Sequence, residues 1–116
     1  MGFKLGEPYG RDHICSELNA ANGREHGRAV LRGPTGAIVA VVVRKDGGAK
    51  RYLNSLPGKT WEMQGRDDDR GEDLITAGAV PVFFAHDDSG YRYEGEYRCT
   101  RVLTDFGLPM YMFVRV

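Results

Sequence analysis

Cysteine is scarce in this sequence: Cys15 and Cys99 are the only two, and they lie far apart without the spacing of a metal site. We therefore expect two buried, free thiols rather than a disulfide framework. Long apolar runs are missing as well, because no segment approaches the roughly 20 apolar residues of a membrane span. The N-terminal residues lack the apolar core of a signal peptide, so the sequence predicts a cytosolic protein.

Motifs of catalysis and of cofactor binding are also missing. The sequence has neither an HExxH motif nor a glycine-rich phosphate loop, and His13, His26 and His86 are scattered without a Ser/His/Asp or Cys/His set. The acidic residues within 67–73 could supply oxygen ligands to Mg²⁺, but they lack the glycine and ligand spacing of a calcium loop, which favours a solvated acidic loop. Catalysis therefore has weak support in the sequence, and we expect no cofactor and no metal site.

The formal net charge is zero, which argues against strong non-specific binding to nucleic acid. The charges are nevertheless segregated, because residues 1–66 contain 11 Lys and Arg against 6 Asp and Glu, whereas residues 67–116 contain 5 against 10. This distribution permits one basic face on a neutral molecule. The acidic residues 67–69 would repel a DNA backbone, so they must point away from any phosphate surface.

Glycine and aromatic residues are plentiful, with 16 glycines and 10% aromatics, which favours a β-rich single domain over residues 1–116. The spacing of Ile14, Cys15 and Leu18 predicts a short helix over residues 11–21. Strands are expected at residues 28–32, 37–43, 49–56 and 109–116, with a buried central strand at 37–43, turns at 33–36 and 45–48, and a turn of helix at 74–78. The predicted fold class is α+β, mostly β, with about six strands in a curved sheet or partly closed barrel and one N-terminal helix.

The clearest local pattern is a β-hairpin over residues 79–102. Its second strand alternates Tyr91, Tyr93, Gly95, Tyr97 and Cys99 with charged residues, which predicts one aromatic face and one charged face. Gly95 leaves a gap in the aromatic face, so we expect another group to pack closely against it.

Residues 61–73 are the longest non-periodic segment and contain the only tryptophan, so we interpret them as an irregular functional loop. Trp61 has a ring that can stack on a base, Gln64 an amide that can pair with a base edge, and Arg66 and Arg70 guanidinium groups that can bind phosphate or guanine. The structural alternative is that Trp61 closes one end of a barrel.

Basic residues around the first hairpin are the candidates for phosphate contacts, with an ordinary charged surface as the alternative for any single one. They are Arg24, His26, Arg28, Arg32, Arg44, Lys45, Lys50 and Arg51.

Residues 91–102 and the terminal strand resemble the closing half of SRA domains, the readers of methylated cytosine in DNA, which carry a Tyr-Asp-Gly signature. The signature here is Tyr93-Glu94-Gly95, with Glu in place of Asp. The chain is also similar to small β-domains of bacterial helicases and McrA-like restriction enzymes, some of which bind phosphorothioated DNA. The matching segments are AIVAVVVRKDGG, Trp61-Glu62-Met63-Gln64, AVPVFFAHD and Leu108-Pro109-Met110. Both groups share the PUA-like barrel, and the resemblance covers roughly residues 28–116.

The resemblance implies a non-catalytic reader of modified double-stranded DNA, with 5-methylcytosine as the leading ligand and phosphorothioate DNA as the alternative. Tyr9, Tyr52 and Trp61 are then the candidate aromatic residues of a base pocket, and Asp67 is the leading candidate for its acidic residue. Such a restriction or epigenetic reader would be associated with the nucleoid and would need a nuclease partner for cleavage. The rival is a small ASCH-type hydrolase acting on a nucleoside or modified base, which would show a buried Lys or Thr beside Glu62 or Asp67.

Overall fold

The structure, a computed structural model, describes residues 2–21, 29–44, 58–64, 71–87, 89–103 and 109–116. The described strands are β1 (Pro8–Tyr9), β2 (Val30–Arg32), β3 (Ile38–Arg44), β4 (Thr60–Gln64), β5 (Ala79–Asp87), β6 (Gly90–Leu103) and β7 (Met110–Arg115), and the helices are α1 (Arg11–Leu18) and α2 (Gly71–Ala77). The predicted class, α+β with a curved, mostly β sheet, is confirmed. Among the described residues, no helix is long and apolar enough to cross a membrane.

The strands form one sheet in the order β2-β3-β5-β6-β7-β4, and β1 pairs with β6 beside this path. The 14-residue strand β6 organises the sheet, because it pairs antiparallel with β5 and also with β1 near its start and β7 towards its end. Strands β3 and β5 are parallel, so their carboxyl ends lie at the same edge. Within the described strands, β2 and β4 end the path without pairing to each other, so the sheet is not closed.

Each face of the sheet carries its own hydrophobic core. The inner core includes Val41, Trp61, Phe84 and Tyr97, and Leu74 of α2 packs into it. The outer core consists of Ile14, Leu31, Ala40, Val42 and Phe83. Strand β3 therefore contributes to both cores through alternate residues, which confirms the prediction of a buried central strand.

Helix α1 is shorter than predicted. It ends at Leu18 because Asn19 adopts a left-handed backbone with φ of 53°, and the next amide, that of Ala20, donates to the carbonyl of Cys15 at 2.9 Å. The sequence pattern had predicted that the helix continues to residue 21. Ile14 is fully buried and Leu18 packs against the outer core, so two of the residues whose spacing predicted the helix also anchor it to the sheet.

The predicted turn at residues 33–36 is present between β2 and β3. The amide of Gly36 donates to the carbonyl of Gly33 at 3.0 Å, and the amide of Gly33 donates to the carbonyl of Ala37 at 2.8 Å. The strand expected at residues 28–32 is present as β2, which begins at Val30. The turn expected at 45–48 and the strand expected at 49–56 lie outside the described residues.

The prediction of an irregular loop over residues 61–73 is wrong at both ends of that range. Residues Thr60–Gln64 form β4, and Gly71–Ala77 form α2, which includes most of the helical turn predicted at 74–78. Strand β4 pairs with β7, where Trp61 lies opposite Phe113. The strand was missed because it has only five residues, and its partner follows about 50 residues later in the sequence.

Candidate functional site

A β-bulge in β6 divides the predicted hairpin strand into two halves. Tyr93 pairs with Phe83 and Gly95 pairs with Val82, so Glu94 is the extra residue between two successive pairs. Gly95 has φ of 101°, a conformation that strains residues with a Cβ. One extra residue reverses the inward and outward alternation beyond it.

The bulge overturns the prediction of a single aromatic face. Tyr91 and Tyr93 pack against the outer core, whereas Tyr97 and Cys99 belong to the inner core. Leu5 packs against Gly95, as predicted, but a Cβ at this position would lie 3.5 Å from a methyl group of Leu5, which is an ordinary contact distance.

The bulged Glu94 forms a pair with His86 across the hairpin. The Nε2 atom of His86 lies 2.9 Å from Oε1 of Glu94, and the two side chains are 30% and 17% exposed. The imidazole also contacts the buried ring of Phe84, with ring centroids 4.8 Å apart. A partly exposed carboxylate beside an imidazole and an apolar ring can accept hydrogen bonds from a ligand.

Arg92 completes this group, because it lies opposite Phe84 in the register of β5 and β6 and its side chain is exposed. We call Phe84, His86, Arg92 and Glu94 the hairpin-end cluster. It combines an apolar ring, an acceptor and a cation beside the hairpin turn. Bulges are frequent next to binding sites because they re-aim one side chain, and here that side chain is Glu94.

Behind the hairpin-end cluster lies Trp61, which is only 1% exposed. Its ring stacks on Phe113 at 4.7 Å and contacts Phe84 edge-on at 6.4 Å. The prediction that Trp61 offers its ring to a base is therefore corrected, because the ring is enclosed by the inner core. In β4, the inward-facing Trp61 and Met63 alternate with the exposed Glu62, as expected of a strand with one buried face. This alternation accounts for the burial of Trp61.

Tyr97, a residue of the inner core, forms hydrogen bonds with Gly58, which precedes β4, and with Arg115 of β7. Its hydroxyl donates to the carbonyl of Gly58 at 2.8 Å and accepts from the guanidinium of Arg115 at 2.8 Å. Burial raises the pKa of Tyr97, Arg115 opposes this shift, and the charge of Glu94 adds to it. Glu94 is therefore close enough to act electrostatically on both His86 and the phenol of Tyr97.

Tyr9, a predicted member of the base pocket, lies on the opposite face of the sheet from Trp61. Its ring is stacked on His13 at 5.6 Å and meets Phe3 edge-on at 5.0 Å, against the outer core. Its hydroxyl accepts from the amide of Lys4 at 2.7 Å. A pocket that contains both Tyr9 and Trp61 is therefore wrong, because the sheet separates the two rings.

Most of the other predicted site residues lie outside the described residues. These are Arg24, His26, Arg28, Tyr52, Arg66, Asp67 and Arg70, together with the side chain of Gln64, whose backbone ends β4. His86 and Glu94 were not predicted as a pair. The signal in the sequence was Gly95 within a strand, which indicates a bulge but not which side chain the bulge displaces.

The hydrolase alternative asks for a buried Lys or Thr beside an acid. Glu62 is exposed, as are all lysines and threonines among the described residues, and Asp67 lies outside them. The described residues contain no group of three or more His, Cys, Asp and Glu side chains that could hold a metal ion. Cys15 and Cys99 are both free thiols; Cys99 is buried as expected, but Cys15 is only partly buried.

The fold is similar to that of the SRA domain of SUVH5, solved in complex with fully methylated CG DNA. The TM-score is 0.66 at 16% sequence identity, and the match covers 99% of this chain and 90% of that chain. The chain therefore has an SRA-like fold, as the resemblance of its sequence implied. No protein-family model matches the sequence, and no curated protein matches it.

Proposed function

We propose that this chain is a non-catalytic reader of modified duplex DNA, with 5-methylcytosine as the leading ligand. The single observation that supports the proposal is the SRA-like fold, which extends over 99% of the chain and is shared with a domain solved on fully methylated CG DNA. The Tyr93-Glu94-Gly95 signature adds support, because its Glu and Gly form the bulge that presents Glu94 at the hairpin-end cluster.

In the proposed mechanism, the hairpin-end cluster receives a base that has left the helical stack. Cytosine presents its N4 amine as a donor, and the carboxylate of Glu94 is an acceptor that the 2.9 Å contact with His86 holds in place. The imidazole of His86, packed edge-on against Phe84, offers an adjacent ring for apolar contact with the base and its methyl group. Unstacking costs a few kcal/mol, which these contacts would have to offset.

The remaining contacts to DNA are proposed from the sequence. Arg24, His26, Arg28, Arg66 and Arg70 would bind phosphate, and Tyr52, Gln64 and Asp67 would approach the base. Phosphate contacts supply much of the affinity, and base contacts supply the preference for the modified form. Trp61 takes a supporting role in this proposal, because its ring packs behind Phe84.

An electrophoretic mobility shift series tests the proposal with three duplexes of one sequence: methylated, phosphorothioated and unmodified. Salt concentration is held constant, because affinity for DNA depends steeply on it. We expect at least about a tenfold preference for the methylated duplex, which corresponds to about 1.4 kcal/mol. A preference for the phosphorothioated duplex would support a reader of modified DNA with a different ligand from the one proposed. Equal affinities for all three duplexes would overturn the proposed function.

A further inference from the structure

Strand β7 carries a partly exposed apolar stripe on the face of the sheet that bears the outer core. Tyr111 and Phe113 of β7 belong to the inner core, so the alternating residues Met112 and Val114 point to the opposite face. Met112 is partly exposed and Val114 is 43% exposed. Neither residue belongs to the outer core, so this part of the face is open to solvent.

The strands on either side of β7 extend this stripe into two rows of three side chains. The first row is Arg101, Met112 and Glu62, and the second row is Arg98, Val114 and Thr60. Residues directly opposite each other in paired strands point to the same face, so both rows lie on one face. Each row has an arginine of β6 at one end and a residue of β4 at the other. We call these six residues the outer patch.

The charges of the outer patch are accessible to a partner. Arg98, Arg101 and Glu62 are all exposed. Among the described residues, none forms an ion pair with either arginine. Glu62 interacts within its own chain, but a carboxylate has about four acceptor positions and can bind a guanidinium in addition. The row therefore presents a cation on one side of the stripe and an anion on the other.

We propose that the outer patch is the contact surface of a symmetric dimer, in which a second copy of this chain packs on it face to face. A two-fold axis along β7 exchanges the two sides of the stripe and keeps the level of each residue along the strand. Strand β6 of each copy then lies over β4 of the other. Arg101 consequently faces Glu62 of the second copy at two equivalent places, and the apolar stripes meet between them.

This charge pattern favours a second copy, because the outer patch is complementary to itself only in this arrangement of the two sheets. Sheets that pack face to face lie about 10 Å apart, a separation that side chains from both sheets span together. Three strands make a small contact, and interfaces below about 1,200 Å² belong to weak complexes. We therefore expect a dissociation constant in the micromolar range. The hairpin-end cluster is built around Phe84 of the inner core, so the dimer leaves it open in both copies.

Sedimentation equilibrium of the full chain, from micromolar to near-millimolar concentration at low salt, tests the dimer by reversal of charge. Arg101→Glu and Glu62→Arg each place like charges opposite each other at both contacts, so each should raise the dissociation constant at least about tenfold. The double variant Arg101→Glu/Glu62→Arg restores opposite charges and should dimerise within about threefold of the wild type. Glu17→Arg is the control, because it makes the same change of charge at an exposed position of α1 and should stay within about twofold.

Circular dichroism confirms that the variants fold, and the wild type alone supplies a second test. Its dissociation constant should rise with added salt, because salt screens ion pairs between exposed side chains. A wild type that stays monomeric at every concentration, or a dimer that salt does not weaken, overturns the proposal. Single reversals without effect, or a double variant as weak as the single ones, overturn it as well. None of these outcomes depends on DNA binding, so the proposed function is tested separately.

Discussion

At the scale of single residues, Trp61 shows how composition can mislead. It stands in a charged stretch with no apolar run around it, yet it is one of the largest side chains of the inner core. Only two residues of β4, Trp61 and Met63, face inwards, and so short an alternation is not distinctive in a sequence. The burial of Trp61 depends on the pairing with Phe113, which no local pattern specifies.

Trp61→Ala should destabilise the protein rather than alter its choice of ligand. Removing a fully buried tryptophan loses apolar contacts and leaves a cavity, which costs about 3–5 kcal/mol in the free energy of unfolding. Urea unfolding followed by circular dichroism measures the loss. An exposed residue gives a control, because Glu17→Ala should change stability by less than about 0.5 kcal/mol. A cost below about 1 kcal/mol for Trp61→Ala would contradict the enclosed position of its ring.

At the scale of elements, the bulge in β6 determines which side chains reach the candidate site. The hairpin itself was predictable, because both strands alternate and the residues between them favour a turn. The exchange of faces at Glu94 was not, because a bulge depends on the register with β5 as well as on the glycine. The sequence pattern therefore identified the aromatic residues of β6 correctly but placed Tyr91, Tyr93 and Tyr97 on one face, whereas they divide between the two faces of the sheet.

Gly95→Ala tests whether the backbone of the bulge requires glycine. The added Cβ would meet Leu5 at an ordinary contact distance of 3.5 Å, so the main cost comes from φ of 101°, at about 1–2 kcal/mol in the free energy of unfolding. Gly58→Ala is the control, because its Cβ would have no neighbour nearer than 3.8 Å and its φ is not in the positive range. Equal unfolding midpoints and slopes for the two variants would show that the bulge does not require glycine.

At the scale of the whole molecule, the order of the strands could not be predicted from sequence patterns. The turn at residues 33–36 and the hairpin at 79–102 join neighbours in the chain, so their pairing follows from local turn chemistry. The parallel pairing of β3 with β5 and the pairing of β4 with β7 join distant segments instead. These two pairings enclose the inner core, which explains why the elements were largely predicted while the position of Trp61 was not.

Partly or fully buried acidic groups make the stability of this protein depend on pH in one direction. Burial raises the pKa of Glu96, whose Oε2 atom is enclosed without a hydrogen-bond partner among the described residues. Burial also raises the pKa values of Tyr93, Tyr97 and Cys99. Each of these groups is neutral when protonated, so the folded state holds the proton more tightly than the unfolded state does.

The free energy of unfolding should therefore decrease as pH rises above the ordinary carboxyl pKa of about 4.3, where Glu96 ionises in the unfolded state but not yet in the folded one. The contribution of Glu96 is fully present below that pH and is lost as pH passes the raised pKa of the folded state. Glu96→Gln should remove this part of the pH dependence and be more stable than the wild type at neutral pH. Urea unfolding between pH 4 and 8 measures both effects, with the exposed Glu17→Gln as the control for a change of charge alone. The same pH profile in Glu96→Gln and in the wild type would show that the carboxylate of Glu96 is solvated in the folded protein.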